Sequence, residues 1–343
     1  MKSKVINAIA FMAYWLGIDA LFYCLNRKAK RIVTFHNVLP DEMFRPGVAN
    51  GVSNCLSDFL RIIHECAKKF RFSTDLFDAK TLTLTFDDGY RNQYTFAYRE
   101  LRKLAIPAFV FVAGDAIDGK ADFPGLAVDL LTHWIDTVPP GRYVLELHGG
   151  EVILQVSESN RLAAWSQIIW PLFVSDMPER GQNMLAACDK AYPLEKVFAK
   201  LPENYVLERL TGISAAMRAE MKTAGWKIGW HTKSHFPLAK LSEEDLTQEL
   251  EAPEEFKSEC LSYPYGNPVE VGAVAPRLAQ CLNFPAAVSN TNEAQENASA
   301  YFLPRLSLSH DKYRLHFQLS GLEYFLKHLR LLPVVLPKEV KDA

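Results

Sequence analysis

Two short segments of this chain hold side chains whose types and spacing could do chemistry. Thr85-Phe86-Asp87-Asp88-Gly89 places two adjacent carboxylates after an apolar run, with a glycine that lets the backbone turn sharply behind them. Adjacent carboxylates at a strand end point in different directions, so one can bind a metal while the other faces a substrate. His231-Thr232-Lys233-Ser234-His235 supplies two imidazoles four apart, a spacing that brings both nitrogens to one metal on a helical turn. Read alone, DDG is equally a turn that caps the next helix, and HxxxH a surface pair. Read together, Asp88, His231 and His235 make a set of one carboxylate and two imidazoles that leaves coordination positions for water and substrate, as a catalytic zinc requires. Co, Ni, Fe or Mn could occupy the same donors.

These residues need elements to hold them. Arg31 to Phe35 (RIVTF), Thr81 to Phe86 (TLTLTF) and residues 108–112 (AFVFV) are short runs rich in β-branched or aromatic residues, with helical patterns between them. That alternation predicts an α/β fold with a parallel sheet. Residues 93–104 read as the helix after the second strand, ended by Ile106-Pro107. Residues 118–212 differ in character: RYVLELHGGEVILQV predicts a hairpin around His148, Gly149 and Gly150, flanked by helices, and the segment reads as an insertion. Ser214 then caps a helix that stops at Gly225, WKIGW is the next strand, and His231 falls at its C-terminal end. A helix in SEEDLTQELEAPEEF, a strand around CLSYPYG and a last helical stretch around GLEYFLKHLRLL complete the pattern. No long linker divides the chain, so residues 1–343 read as one elaborated domain.

Composition bounds the function. With 49% hydrophobic residues among 343 the chain is too apolar to be disordered, and 38 basic against 40 acidic side chains leave no excess charge to neutralise phosphates, so no nucleic-acid partner is expected. Six cysteines without a CxxC pair read as reduced, mostly buried thiols. Residues 5–25 form an apolar stretch long enough to span a bilayer, flanked by lysines and arginines, within an N-terminal helix segment of residues 1–30. Asp19 inside it would cost about 2.5–3.5 kcal/mol in a bilayer. No small-residue cleavage site follows, and Phe22 and Tyr23 before Cys24 are too bulky for lipoprotein processing. The expectation is a helix packed on the domain of a cytoplasmic protein, with a peripheral helix at the inner face of the membrane as the alternative.

TFDDG at 85–89, HTKSH at 231–235 and SYPYG at 262–266 resemble, in order and spacing, the successive motifs of the polysaccharide deacetylases, the nodulation-deacetylase homology superfamily that includes carbohydrate esterase family four. The resemblance runs over residues 31–321. It implies a distorted (β/α) barrel of about seven strands, with the long insertion between the first and second motifs, and a divalent-metal amide hydrolase acting on N-acylated sugars. Carried over, Asp88, His231 and His235 bind the metal, Zn2+ by donor type, Asp87 is the base that takes a proton from the attacking water, and the backbone N–H of Tyr265 helps stabilise the oxyanion.

The sequence departs from better-known members in two places. Ser262 stands where many have an arginine that orients the catalytic aspartate, and Arg305 in YFLPRLSL, read as lying in a late strand, is the candidate replacement. No leucine-rich strand ending in histidine supplies the usual general acid. His36 in RIVTFHNVLP resembles the early histidine of the poly-N-acetylglucosamine deacetylases and takes that role here, with the late His310 and His316 as alternatives. Trp134, Trp165, Trp170 and Trp226 read as core residues and not as sugar-stacking faces. The implied function is N-deacetylation of an amino sugar in a surface polysaccharide, a lipid-linked precursor or a sugar nucleotide. A sugar N-deformylase on the same scaffold and a non-catalytic glycan-binding or assembly protein are the alternatives, the latter favoured by Ser262.

Overall fold

The computed structural model of the chain describes residues 2–332 apart from 118–123, 176–180, 203 and 293–297. Six strands, Arg31–Phe35, Thr81–Phe86, Phe109–Val112, Lys227–Trp230, Leu261–Ser262 and Ala287–Val288, lie side by side in chain order. Every pairing between them is parallel, and Arg71–Phe72 adds a seventh strand beside Thr81–Leu82. Parallel strands covered by helices are buried on both faces, which is why Arg31–Phe35 and Thr81–Phe86 are buried at every position. Their threonines do not break this rule, because Thr85 donates its hydroxyl proton to the Val33 carbonyl at 3.0 Å.

Residues 303–306 close the sheet into a distorted barrel by bridging its two ends. Leu303 pairs with Val288 and Leu306 with Val33, with the Leu306 N–H donating to the Ile32 carbonyl at 2.8 Å and the Thr34 N–H to the Leu306 carbonyl at 3.0 Å. The segment holding Arg305, expected as a regular strand, is thus a pair of isolated bridges, because Pro304 removes a ladder donor between them. Inside the barrel layers, Phe86 stacks on Phe35 and on Trp226, each with ring centroids 5.7 Å apart, and so fixes the strand that precedes Asp87.

Several helices differ from expectation. Residues 93–104 begin as a π-helix, Gln93–Tyr98, before the α-helix Arg99–Lys103, and the wide turn starts at a buried glutamine that is tied to the site. The helix expected through SEEDLTQELEAPEEF stops at Leu250, since Pro253 has no N–H to continue it, and a short 3-10 turn at Glu254–Phe256 follows. The single N-terminal helix is two, Lys2–Trp15 and Ile18–Leu25, bent by 82° where Gly17 takes a left-handed φ of 71°. No single helix among the described residues is long and apolar enough to cross a membrane; only the bent pair passes, by length and composition together. Asp19 is buried against the protein.

The hairpin stands as expected, Gly141–Leu147 against Gly150–Val156, and with the helices around it forms its own hydrophobic cluster centred on Trp134, Ile135, Phe173 and Met184. A polar seam joins this cluster to the barrel. Asp129 accepts a hydrogen bond from Tyr90 and another from Arg209 at 2.7 Å, and Asp136 accepts the N–H groups of Val48 and Ala49 at 2.9 and 2.8 Å. The Ser214 cap is in place, its hydroxyl accepting from the Met217 N–H at 3.3 Å. The cysteines are all free, but only Cys66, Cys188 and Cys260 are buried, and burial pushes those three thiols up to about 12.

Candidate active site

The residues singled out from the sequence converge at the C-terminal ends of the parallel strands, where such folds open toward substrate. His36 follows Arg31–Phe35, Asp87 and Asp88 follow Thr81–Phe86, His231 follows Lys227–Trp230, and Tyr265 follows Leu261–Ser262. Strand pairing persists as far as Asp87, whose N–H donates to the Phe35 carbonyl at 3.0 Å, so its side chain enters the barrel and is 1% exposed. Asp88 and Gly89 then both take left-handed φ values, 74° and 73°, and the chain turns away. A Cβ on Gly89 would lie 2.7 Å from Val112 Cγ1, so this turn needs glycine. The turn is what sends the two neighbouring carboxylates to different tasks.

Asp88 Oδ1 lies 3.4 Å from His231 Nε2 and 3.3 Å from His235 Nε2, and one donor atom from each of the three residues lies within 4.8 Å of the others. The two histidines do not reach this point on a helical turn. Thr232 and His235 have φ values of 64° and 60°, and the segment is a loop pinned from below. Ser234 donates its N–H to the buried Glu249 carboxylate at 2.8 Å and its hydroxyl to Asp115 at 2.9 Å, while the Gly114 N–H donates to the Thr232 carbonyl at 3.0 Å. Spacing alone could not distinguish a helix from a loop fixed by residues 118 positions upstream (Gly114) and 15 downstream (Glu249) of Thr232 and Ser234.

The donors fit a divalent cation. His231 Nδ1 stands 2.7 Å from the Ser262 carbonyl, which can only accept, so that nitrogen carries the proton and Nε2 keeps its lone pair toward Asp88. Burial would raise the Asp88 carboxyl, yet the two imidazoles hold it well below the carboxylate range. Burial lowers His231, but the Asp87 and Asp88 charges outweigh it and leave the imidazole above its ordinary value. Protons therefore compete for this nitrogen as the pH falls.

Asp87 is held by Arg305. Nη1 donates to Oδ1 at 2.7 Å and Nη2 to Oδ2 at 2.5 Å, a bidentate pair with both residues fully buried. The remaining donors of the guanidinium go to the Thr85 hydroxyl at 3.0 Å, the Ser262 hydroxyl at 3.0 Å and the Ser289 carbonyl at 3.1 Å. Ser262 in turn donates to Asp87 Oδ1 at 3.1 Å. Burial pushes Asp87 upward, but Arg305, with His231 adding to it, brings it to about 2, so it is ionised at any pH the protein meets. His36 Nε2 stands 3.9 Å from Asp87 Oδ2, and burial lowers its imidazole against the pull of Asp88 and Asp87. His310 and His316 lie elsewhere, paired with Asp58 and Glu65. Tyr265 has a left-handed φ of 60°, and its N–H has no hydrogen-bond partner among the described residues. Its ring packs on His235 at 4.9 Å and on Trp170 at 5.3 Å.

Residues 75–135 match the family model described as Polysaccharide deacetylase, a segment that includes Asp87 and Asp88. Over those residues the chain is similar to the polysaccharide deacetylases. The enzyme class read from the motifs, a hydrolase acting on amide bonds, stands with it. Among solved structures, the Streptococcus pyogenes deacetylase PplD in complex with acetate is similar at 14% identity over 85% of this chain and 98% of that one, with a TM-score of 0.51, a likeness of fold. IcaB from Ammonifex degensii is 14% identical over 85% of this chain and 96% of that one, with a TM-score of 0.42. The deacetylase domain of BpsB from Bordetella bronchiseptica is 12% identical over 82% and 96%, also at 0.42. No curated protein matches the chain.

Four residues of the candidate site escaped the sequence reading. Ser262 was noted only for the arginine it replaces, and Thr85 and Ser289 support Arg305 by contacts no pattern signals. Gln93 is the fourth: its amide donates to the carbonyls of His36, at 2.9 Å, and Asp87, joining the two strand ends.

Zinc addition should stabilise the folded protein. At a free concentration a hundred times the dissociation constant, the gain is about 2.7 kcal/mol and is read as a rise in Tm. His231→Ala and Asp88→Asn should each remove the rise, and it should shrink at acidic pH as His231 protonates. A rise that persists in both variants would show that the cation sits elsewhere.

Proposed function

We propose that this chain is a metal-dependent N-deacetylase that hydrolyses the N-acetyl amide of an amino sugar in a surface polysaccharide or its precursor, with residues 118–212 an insertion in a single catalytic domain. The observation that carries this reading is a buried Asp87, paired bidentately with Arg305, beside the Asp88, His231 and His235 donor set. A divalent cation held by those three residues would supply Lewis-acid polarisation of the amide carbonyl and acidify the attacking water. Asp87, fixed by Arg305, takes the proton of that water as its oxygen adds to the carbonyl carbon. The Tyr265 N–H, unpartnered among the described residues, is the backbone donor for the oxyanion. As the C–N bond breaks the nitrogen needs a proton, and His36, 3.9 Å from the carboxylate that collected one, is placed to return it. Acetate and a free amino sugar result.

Ser262, the residue that favoured a non-catalytic protein, instead shares in the Asp87 and Arg305 network, which supports the enzyme reading. The test is acyl release. Metal-loaded protein given N-acetyl and N-formyl amino-sugar nucleotides and oligosaccharides should release acetate, followed by mass spectrometry of both products. Formate in place of acetate would establish a deformylase, and no release from any substrate at stoichiometric metal would overturn the proposal.

A further inference from the structure

The helix Lys2–Trp15 has two unlike faces. Ile6, Ala10 and Ala13 are buried in one cluster with Phe317 and Leu322. On the opposite side, Val5, Phe11, Met12, Trp15 and Leu16 fall within one stripe at helical spacing, and all are exposed, Trp15 by 67% and Leu16 by 73%. Beyond the bend at Gly17 the exposed apolar surface continues through Ile18, Leu21 and Leu25. Phe22 touches Phe325 at 5.1 Å, which adds the exposed Phe325 and Leu329 of the last helix, Leu322–His328 and its edge, to the same region. Soluble surfaces rarely leave so many large apolar side chains together in water.

The exposed charges on residues 4–28, which flank this surface, have one sign. Lys4 at its start and Arg27 and Lys28 at its end are exposed, whereas Asp19, the one acid among residues 1–40, is buried at 6%. We propose that this face lies on a bilayer surface bearing anionic headgroups, with both helices in the interfacial plane. Apolar side chains enter the boundary region and the flanking cations meet the headgroups. The pair lies on the membrane and does not cross it, because one side of Lys2–Trp15 is committed to Phe317 and Leu322 and Asp19 is committed to the protein interior. The helices feed the N-terminal end of Arg31–Phe35 and His36 stands past its other end, so a chain adsorbed through them keeps the site open to substrate.

Co-sedimentation of the full chain tests this, with vesicles of phosphatidylcholine alone and of phosphatidylcholine mixed with phosphatidylglycerol. The expected result is partitioning onto the mixed vesicles, weakened by salt. Trp15→Ser with Leu16→Ser should reduce it more than tenfold, and Arg27→Gln with Lys28→Gln by about 25-fold, roughly fivefold per cation. Both pairs are exposed, so circular dichroism and Tm should confirm that each variant is folded. Absence of binding to the mixed vesicles, or binding that W15S/L16S leaves unchanged, would overturn the proposal. Equal binding to both vesicle types would overturn the headgroup assignment. A concentration-dependent dimer that W15S/L16S abolishes, without vesicle binding, would give the face to a second copy of the chain.

Discussion

Asp87→Asn should lower kcat by about 10²–10⁴-fold, the range that removal of a positioned general base produces. The substitution keeps the shape of the side chain and one acceptor for Arg305 but removes the site that takes the proton. The proposed metal donors are Asp88, His231 and His235, so metal content should remain stoichiometric. His231→Ala should instead lose both metal and turnover. Because Asp87 acts on the reacting water and not on ground-state sugar, the loss should fall on kcat more than on KM. Metal analysis beside steady-state kinetics separates these outcomes. A metal-replete, fully active Asp87→Asn protein would remove Asp87 from the mechanism.

Arg305→Ala should affect both stability and the pH profile. It leaves the Asp87 carboxylate buried without its partner, and breaking a buried pair in this way costs about 3–5 kcal/mol. The sign of the pH effect follows from the low value of Asp87, about 2 in the intact site. A base must be ionised, so activity is lost as pH falls through its pKa, and with Arg305 present that limb lies below the working range. Without the guanidinium, burial dominates, the carboxyl rises, and the acidic limb of kcat/KM should move upward into the measured range. Arg305→Lys should restore the charge but not the bidentate contact and fall between the two. Ser262 and Arg305 reach the same Asp87 oxygen from different segments of the barrel, so adding Ser262→Arg to Arg305→Ala should move the limb partly back. An unshifted limb in a folded Arg305→Ala protein would show that the arginine does not set the ionisation of Asp87. The deacylase assay at a series of pH values, with Tm measured beside it, reads both effects.

How much of this was legible in the sequence depended on the range of the contacts. Short apolar runs with turn residues behind them marked the strands, and the strand ends marked Asp87, Asp88 and His231, because alternation, burial and chain reversal are local properties of a few consecutive residues. The α/β alternation with its parallel sheet and the hairpin at 141–156 followed from the same local signals, whereas the barrel was implied only by the resemblance of the motifs. The N-terminal bend at Gly17 and the stop at Pro253 were locally encoded too, but a glycine or proline inside an apolar or charged helical pattern does not say how far the chain will turn.

What only the tertiary structure decided lies between residues far apart in the chain. Arg305 meets Asp87 across 218 positions and Ser262 meets it across 175, and neither partner carries a mark in sequence that tells a buried guanidinium from a surface one. His36, His310 and His316 are indistinguishable as imidazoles, and the parallel pairing of Arg31–Phe35 with Thr81–Phe86 brings the first beside Asp87, while packing elsewhere gives the others to Asp58 and Glu65. The HTKSH loop is shaped by Asp115 and Glu249, not by its own helical propensity. Local sequence determines which backbone elements form and where they end; the free energy of burying a charge, and therefore which distant partner must neutralise it, is fixed only once the strands are assembled.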